Sequence, residues 1–203
     1  MAGVRNAPED LLELPVARLL DRLASQAPTP GAGAVAALTA GMAAGLVGMV
    51  ASASAAWNEA AAVAAQAQAL RRRLGPLAAA NAEAYESALA SLALPENLDP
   101  EVRSFKIVSA LGRAADTPLM IAAAATDVAL LAEEAAGRCE PALRPDATAA
   151  AVLAASAARA SAHLVEVNLT TTAGDERVIA ARMLAESASD TARRLLDATG
   201  SEP

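Results

Sequence analysis

Aromatic residues, cysteine, histidine and lysine are scarce in this chain of 203 residues. Phenylalanine, tyrosine, tryptophan, histidine, cysteine and lysine each occur once. The single cysteine, Cys139, cannot form an internal disulfide bond, and the single histidine, His163, cannot build a multi-histidine metal centre. We therefore predict no metal ion. Aromatic and β-branched residues favour strands, so their scarcity also argues against β-sheet.

Basic residues are also fewer than acidic residues. The net charge is −7, and apart from Lys106 the basic residues are scattered arginines. The one basic run, Arg71–Arg73, is typical of a solvated helix face, so we predict no nucleic-acid partner. The N-terminal region holds Glu9 and Asp10 and has no long apolar segment after a basic start. This is not typical of a signal peptide and indicates a cytoplasmic protein.

Alanine is the most frequent residue, and its abundance predicts an all-α protein. Because no hydrophilic or low-complexity stretch divides the chain, we expect a single domain over residues 1–203. A core of alanine and leucine buries little area per residue, which favours burying further surface in an oligomer. The uncharged stretch from Leu23 to Asn58 is long enough to cross a membrane. Because it contains several hydroxyl-bearing residues and two prolines, we predict a buried helix of a soluble bundle and no membrane partner.

Apolar periodicity and the positions of proline, glycine and capping residues predict the helices. The first three are expected over Pro8–Ala24, Ala34–Trp57 and Asn58–Leu92, the third disturbed at Gly75-Pro76. The next two are expected over Pro100–Ala115 and Pro118–Ala136, capped by Asp99 and Thr117. The last two are expected from a cap at Asp146 to Thr170, and from Gly174-Asp175 to Ala198.

The segment Pro28–Gly33, here called the PTPGAG turn, leads directly into the uncharged helix. Its prolines fix φ, while Gly31 and Gly33 allow another backbone or a ligand to come close. The first turn of the next helix has N–H groups without helical partners, so it suits an anionic or strongly polar group. The alternative is a tight turn that only introduces a buried helix.

Four segments, taken together in their order and spacing, resemble the cyclodeaminase and cyclohydrolase family of folate enzymes. They are PTPGAGAVAAL (28–38), NAEAYESALASLALP (81–95), RSFKIVSALGRAADTPL (103–119) and RPDATAAAVLAASAARASAHLVEVNL (144–169). The resemblance implies a multihelical array, commonly a homodimer, that acts on a one-carbon unit carried by tetrahydrofolate. Members close formimino-tetrahydrofolate to the methenyl form with loss of ammonia, or hydrolyse the methenyl form to 10-formyl-tetrahydrofolate.

The resemblance also implies site residues. The substrate-binding candidates are Pro30, Gly31, Gly33, Asn81, Tyr85, Arg103 and Asn168. The catalytic candidates are Asp146 and Glu83, which match family positions, and His163 and Glu166, whose spacing of three puts them on one helix face.

Five positions depart from the family pattern. Ala32 replaces a glycine, Ala34 and Pro145 each replace a serine, Asn81 replaces an aspartate and Leu164 replaces an asparagine. Asn81 cannot take up a proton at neutral pH, and losing a general base typically lowers a rate by about 100-fold to 10,000-fold. Two hypotheses therefore stand: an active cyclohydrolase or cyclodeaminase, and a catalytically degenerate homologue that binds a folate-like ligand or serves as a helical interaction protein.

Overall fold

The computed structural model describes residues 11–170 and 174–199. Six α-helices and one 3-10 turn, Pro141–Leu143, lie within these ranges, and no strand does. The helices are α1 (Val16–Leu23), α2 (Ala32–Ala53), α3 (Ala60–Leu92), α4 (Pro100–Arg138), α5 (Arg144–Asn168) and α6 (Glu176–Thr199). The predicted all-α, multihelical fold is confirmed.

Helix α2 lies at the centre and packs against α3, α4 and α5. Its buried residues are small, mostly alanine with Val47 and Val50, which lets the three neighbours approach closely. By length and composition α2 and the segment Pro141–Asn168 could each cross a membrane, and about half of each is buried within the fold (50% and 56%). A central core helix meets the same criteria, and the packing of α2 on three neighbours accounts for its composition.

The glycines of α2 make part of this close packing. A Cβ atom built on Gly41 would lie 3.9 Å from Cβ of Leu74, and one on Gly48 would lie 3.7 Å from Cβ of Ala67. Both distances are ordinary contacts, so α3 packs directly on these two positions. Gly45 has no such neighbour within 4 Å and faces outward.

Helix α4 corrects the sequence prediction, because it runs without a break through Pro118. Proline has no N–H group and normally interrupts a helix by leaving the carbonyl four residues earlier unbonded. Here that carbonyl belongs to Ala114, and Nδ2 of Asn168 donates a hydrogen bond to it at 3.2 Å. The predicted division into two helices with Thr117 as a cap is therefore wrong, since a side chain from α5 replaces the missing donor.

Some of the predicted helix starts are confirmed and others are wrong. Asp99 caps α4, as predicted, and accepts hydrogen bonds from the backbone N–H groups of its first turn. At the start of α6, Asp175 accepts a hydrogen bond from the backbone N–H group of Arg177. Asp146 is not a cap, because α5 begins two residues earlier and includes it in the first turn. The first helix begins at Val16, and the part predicted over Pro8–Asp10 lies outside the described residues.

Candidate active site

Four helices converge at the N-terminus of α2 and enclose a cavity of about 260 Å³, here called the α2 cavity. The PTPGAG turn and the middle of α3 form one side, and the part of α4 around Pro118 and the end of α5 form the other. Its lining residues are Pro28, Thr29, Gly31, Ala32, Gly33, Asn81, Tyr85, Ala114, Pro118, Leu164, Val167 and Asn168.

The N-terminus of α2 presents backbone donors to this cavity. Gly31 occupies the N-cap position without a side-chain cap, and the hydrogen bond from Val35 N–H to the Gly31 carbonyl, at 3.2 Å, begins the helical pattern. The N–H groups of the three residues between them have no partner within the helix. Together with the positive end of the helix dipole, they favour an electron-rich oxygen atom in front of them.

Gly33 makes room for a side chain of α3. A Cβ atom built on Gly33 would lie 2.3 to 2.4 Å from the Cγ, Nδ2 and Oδ1 atoms of Asn81, far inside contact distance. The sequence predicted that another backbone or a ligand would come close to this glycine, and the group that does so is the side-chain amide of Asn81. The amide is thereby held against the first turn of α2, beside the free backbone donors.

Asn168 supplies a second amide from the opposite wall. Its Nδ2 atom donates a hydrogen bond to the carbonyl of Ala114, four residues before Pro118 in α4, and all three residues line the cavity. Since the amide nitrogen is the donor in that bond, Oδ1 remains as an acceptor, and the described residues give it no partner. The proline in α4 thus fixes the orientation of a polar group in the site.

The rest of the wall is apolar or aromatic. Leu164, Pro118 and Ala114 lie inside, while Tyr85 and Val167 are 42% and 50% exposed at the rim. Sites that enclose a whole drug-sized ligand usually measure roughly 300–1,000 Å³. At about 260 Å³ this cavity fits one ring system of such a ligand, with the remainder outside.

Several predicted site residues lie elsewhere. Asp146 is at the opposite end of α5 from Asn168, and 22 residues of helix correspond to about 33 Å. Arg103 donates from Nε to the Leu94 carbonyl at 3.4 Å, which ties the start of α4 to the loop before it. Glu83 is exposed on α3, Pro30 is buried within the PTPGAG turn, and neither lines the cavity.

His163 and Glu166 do share a face of α5, as their spacing predicted, but it is a different face. They line a groove of about 580 Å³ between α5 and α6, here called the α5–α6 groove. Oε1 of Glu166 accepts a hydrogen bond from Nε of Arg182 at 2.6 Å, so its partner is an arginine of α6. Within the described part of the chain, no group of three or more acidic, histidine or cysteine side chains could hold a metal ion.

Comparison with known proteins decides the family. A family model described as formiminotransferase-cyclodeaminase matches residues 15–189, which is most of the chain. The chain belongs to this family. Methenyltetrahydrofolate cyclohydrolase of Methylorubrum extorquens is 35% identical over 158 residues, covering 73% of this chain and 76% of that protein.

A solved structure shares the fold. The crystal structure of formiminotetrahydrofolate cyclodeaminase from Thermotoga maritima matches with a TM-score of 0.79, covering 93% of this chain and 98% of that one. The sequence identity is 22%, so this likeness establishes the fold and no more. The family resemblance predicted from the sequence motifs is confirmed.

Among the residues lining this family member's α2 cavity, sequence reasoning overlooked Thr29. Its Oγ1 atom donates a hydrogen bond to Oε1 of Glu86 at 2.7 Å, which joins the PTPGAG turn to α3. A hydroxyl between two prolines of a candidate binding turn was a signal that could have drawn attention to it. The sequence holds no local signal for Glu86, because its partner is 57 residues away.

An ion-pair cluster supports the far side of the cavity. Nη1 of Arg177 donates to the Gly112 carbonyl and to Oδ1 of Asp116, both at 2.7 Å, and thereby ties the start of α6 to α4. The Arg177 guanidinium and backbone N–H also hydrogen-bond Asp175, and they lower the pKa of that carboxyl group to about 2. This cluster fixes α4 on either side of Ala114, which lines the cavity.

Proposed function

We propose that this family member is a methenyltetrahydrofolate cyclohydrolase, which hydrolyses the methenyl bridge of its substrate to the 10-formyl form. The chain is a homologue of folate one-carbon enzymes, and its 35% identity to a cyclohydrolase supports the choice. The observation that carries the proposal is the lining of the α2 cavity. It combines free backbone donors, two positioned amides and an aromatic rim in a space that fits one ring system.

The chemistry of the two family reactions favours hydrolysis. The methenyl bridge is an amidinium-like cation, already activated for attack, so the site needs to hold a water molecule against it and provide an acceptor for the proton that the water loses. Ring closure with loss of ammonia needs an acid that protonates the leaving nitrogen, a task for a carboxylic acid or an imidazolium. Neither group occurs among the described residues that line the α2 cavity.

Each group that lines the α2 cavity has a role that follows from its chemistry. The N–H groups at the start of α2 face an electron-rich oxygen, and the Oδ1 atom of Asn168 accepts a hydrogen bond from a ring N–H group. Tyr85 and Val167 cover the ring at the rim, where an aromatic face stacks on a flat heterocycle. The amide of Asn81 lies beside the α2 donors, where it can orient water but cannot remove its proton.

The direct test is the absorbance decay of methenyl-tetrahydrofolate with micromolar purified protein at neutral pH. We expect a rate well above that of buffer. A rise in melting temperature with tetrahydrofolate but no faster decay would instead support the degenerate ligand-binding homologue, since a ligand stabilises only a state that binds it. Ammonia release from formimino-tetrahydrofolate would support the cyclodeaminase reaction instead.

We also propose that the protein forms a homodimer through the outer face of α2. Val35, Met42 and Met49 are 40%, 63% and 41% exposed, and they repeat every seven residues. Leu38, Gly45 and Ser52 fall between them, which gives the alternating spacing of three and four that pairs two like helices. α2 carries no charged residue, so a second copy of the same helix fits this stripe without burying charge.

The homodimer is tested by light scattering coupled to size-exclusion chromatography. The wild type should have twice the monomer mass at micromolar concentration. Met42→Glu should give monomers, whereas Met183→Glu, at a position 66% exposed on α6, should not. A monomeric wild type would overturn this part of the proposal.

A further inference from the structure

The α2 cavity of this chain is joined by one short hydrogen bond to a carboxylate that does not line it. Thr29 lies in the cavity wall, and its hydroxyl donates to Oε1 of Glu86 at 2.7 Å. Because Thr29 donates its own proton to Glu86, the lone pairs of its oxygen remain available to accept a proton from the cavity side. Glu86 itself is exposed to solvent, one residue beyond Tyr85 on α3.

Hydrolysis of the methenyl bridge requires an acceptor for one proton of the attacking water. Among the described residues lining the α2 cavity, none carries a carboxylate, imidazole or ammonium group. Asn81, held against Gly33, cannot serve, because an amide does not take up a proton at neutral pH. The hydrogen bond through Thr29 is therefore the route by which a carboxylate reaches this space.

We propose that Glu86 accepts the proton of the attacking water through the hydroxyl of Thr29; this rests on the cyclohydrolase function proposed above. As the water oxygen bonds to the bridge carbon, one of its protons passes to Oγ1 of Thr29. The hydroxyl proton of Thr29 passes at the same time to Oε1 of Glu86. The π electrons of the attacked C=N bond move onto nitrogen, which neutralises the cation.

In the second half of the reaction the bridge opens to give the formyl product. The bond from the bridge carbon to one nitrogen breaks, the new hydroxyl loses its proton to become the formyl oxygen, and the released nitrogen gains a proton. One proton is released overall, and it is the one held by Glu86. Since Glu86 is exposed, it returns that proton to bulk water between turnovers.

In this scheme Thr29 is the catalytic residue, because it contacts the reacting water, and Glu86 is a positioning residue that acts through it. The alternative role for the pair is a latch that only holds the PTPGAG turn on α3. The two roles differ in what restores activity. If the pair only holds the turn on α3, a new carboxylate at position 81 restores no activity. If the pair accepts a proton, that carboxylate replaces the lost acceptor and restores activity.

The experiment measures kcat, KM and melting temperature for methenyl-tetrahydrofolate hydrolysis in five proteins: the wild type, Thr29→Ser, Thr29→Val, Glu86→Gln and the double variant Glu86→Gln with Asn81→Asp. We expect Thr29→Ser to stay within about threefold of wild type, because serine keeps the hydroxyl. Thr29→Val and Glu86→Gln should each lower kcat by about 100-fold with little change in KM. Asn81→Asp should restore kcat at least tenfold in the Glu86→Gln background.

The matched control is Glu134→Gln, which removes an exposed carboxylate of α4 far from the PTPGAG turn and should match wild type. Wild-type kcat in Glu86→Gln would overturn the relay and leave the cyclohydrolase function standing. A loss confined to KM or melting temperature, without rescue by Asn81→Asp, would also overturn it in favour of the latch. A wild type that does not accelerate hydrolysis would overturn the proposed function itself and the relay with it.

Discussion

The α2 cavity and the α5–α6 groove distribute polar groups in opposite ways. The groove is larger, about 580 Å³ against about 260 Å³, and it holds the side chains most often used in acid-base chemistry. Three arginines face three carboxylates there, and two pairs are in direct contact, Arg182 with Glu166 at 2.6 Å and Arg193 with Asp190 at 2.5 Å. In the part of the cavity that the structure describes, Tyr85 is the only titratable lining residue.

Unmet hydrogen-bonding capacity, and not the number of charges, marks the site in this protein. Charges in the groove largely satisfy one another, so they offer a ligand little that they do not already have. The cavity instead presents the first N–H groups of α2 and the Oδ1 atom of Asn168, neither of which has a partner among the described residues. A ligand would supply those partners.

The largest effect is expected from adding one carbon atom to the cavity. In Gly33→Ala the new Cβ would overlap the Asn81 amide, which must then leave the first turn of α2. We expect kcat/KM for methenyl-tetrahydrofolate to fall by about 100-fold, as displacements near 1 Å can do in a positioned site. The measurement is steady-state kinetics with the melting temperature recorded alongside.

Gly137→Ala is the matched control for that substitution. Gly137 lies in α4, and a Cβ atom there would meet no neighbour within 4 Å. Its activity should equal that of wild type, and its unfolding free energy should rise by roughly 0.5–1 kcal/mol because alanine is the better helix former. Equal activity in both variants would show that the contact between Gly33 and Asn81 has no part in the site.

The next effect is on stability and concerns the amide opposite. Asn168→Ala leaves the buried carbonyl of Ala114 in α4 without a donor, and we expect the free energy of unfolding to fall by about 1–3 kcal/mol. In a Pro118→Ala background the loss should be smaller, because the new backbone N–H can bond the Ala114 carbonyl. Urea denaturation of the two single variants and the double variant measures the coupling. Strictly additive losses would contradict the role assigned to Asn168.

This pair also shows where sequence reasoning succeeds and where it stops. Local chemistry correctly predicted free N–H groups after the PTPGAG turn and a close approach at Gly33, because both follow from backbone geometry. It wrongly ended a helix before Pro118, because the donor that keeps α4 continuous comes from Asn168, 54 residues beyond Ala114. Spacing correctly placed His163 and Glu166 on one face of α5. Spacing alone could not show which neighbouring helix that face meets, since α5 packs against α2, α4 and α6.

A smaller effect is expected at low pH from the ion-pair cluster behind the cavity. Hydrogen bonds from Arg177 lower the pKa of Asp175 from 3.8 to about 2, so the folded state favours its ionised form. That contribution is complete above about pH 4 and is lost as pH falls through 2, because the folded carboxylate then becomes protonated. The melting temperature of wild type should therefore fall between pH 4 and 2, and Asp175→Asn should fall less over this interval.

Asp127→Asn, at an exposed position of α4, is the control for the acid series. It should keep the wild-type dependence of melting temperature on pH. If Asp175→Asn followed the wild-type curve at every pH, the cluster would contribute nothing to acid stability. Kinetics at neutral pH should change little in Asp175→Asn, because Asp175 does not line the α2 cavity.

The smallest effect is expected from substitutions in the α5–α6 groove. These substitutions test directly whether the groove or the α2 cavity is the active site. His163→Ala and Glu166→Gln remove groups that the cavity does not contain, so each should change kcat/KM by less than about threefold. Loss of the partly exposed contact between Glu166 and Arg182 should cost only about 0–1 kcal/mol of stability, as is usual for such pairs. A 100-fold loss of activity in either variant at an unchanged melting temperature would show that the groove takes part in catalysis. It would move catalysis to the groove and leave the α2 cavity as a place where only part of the ligand binds.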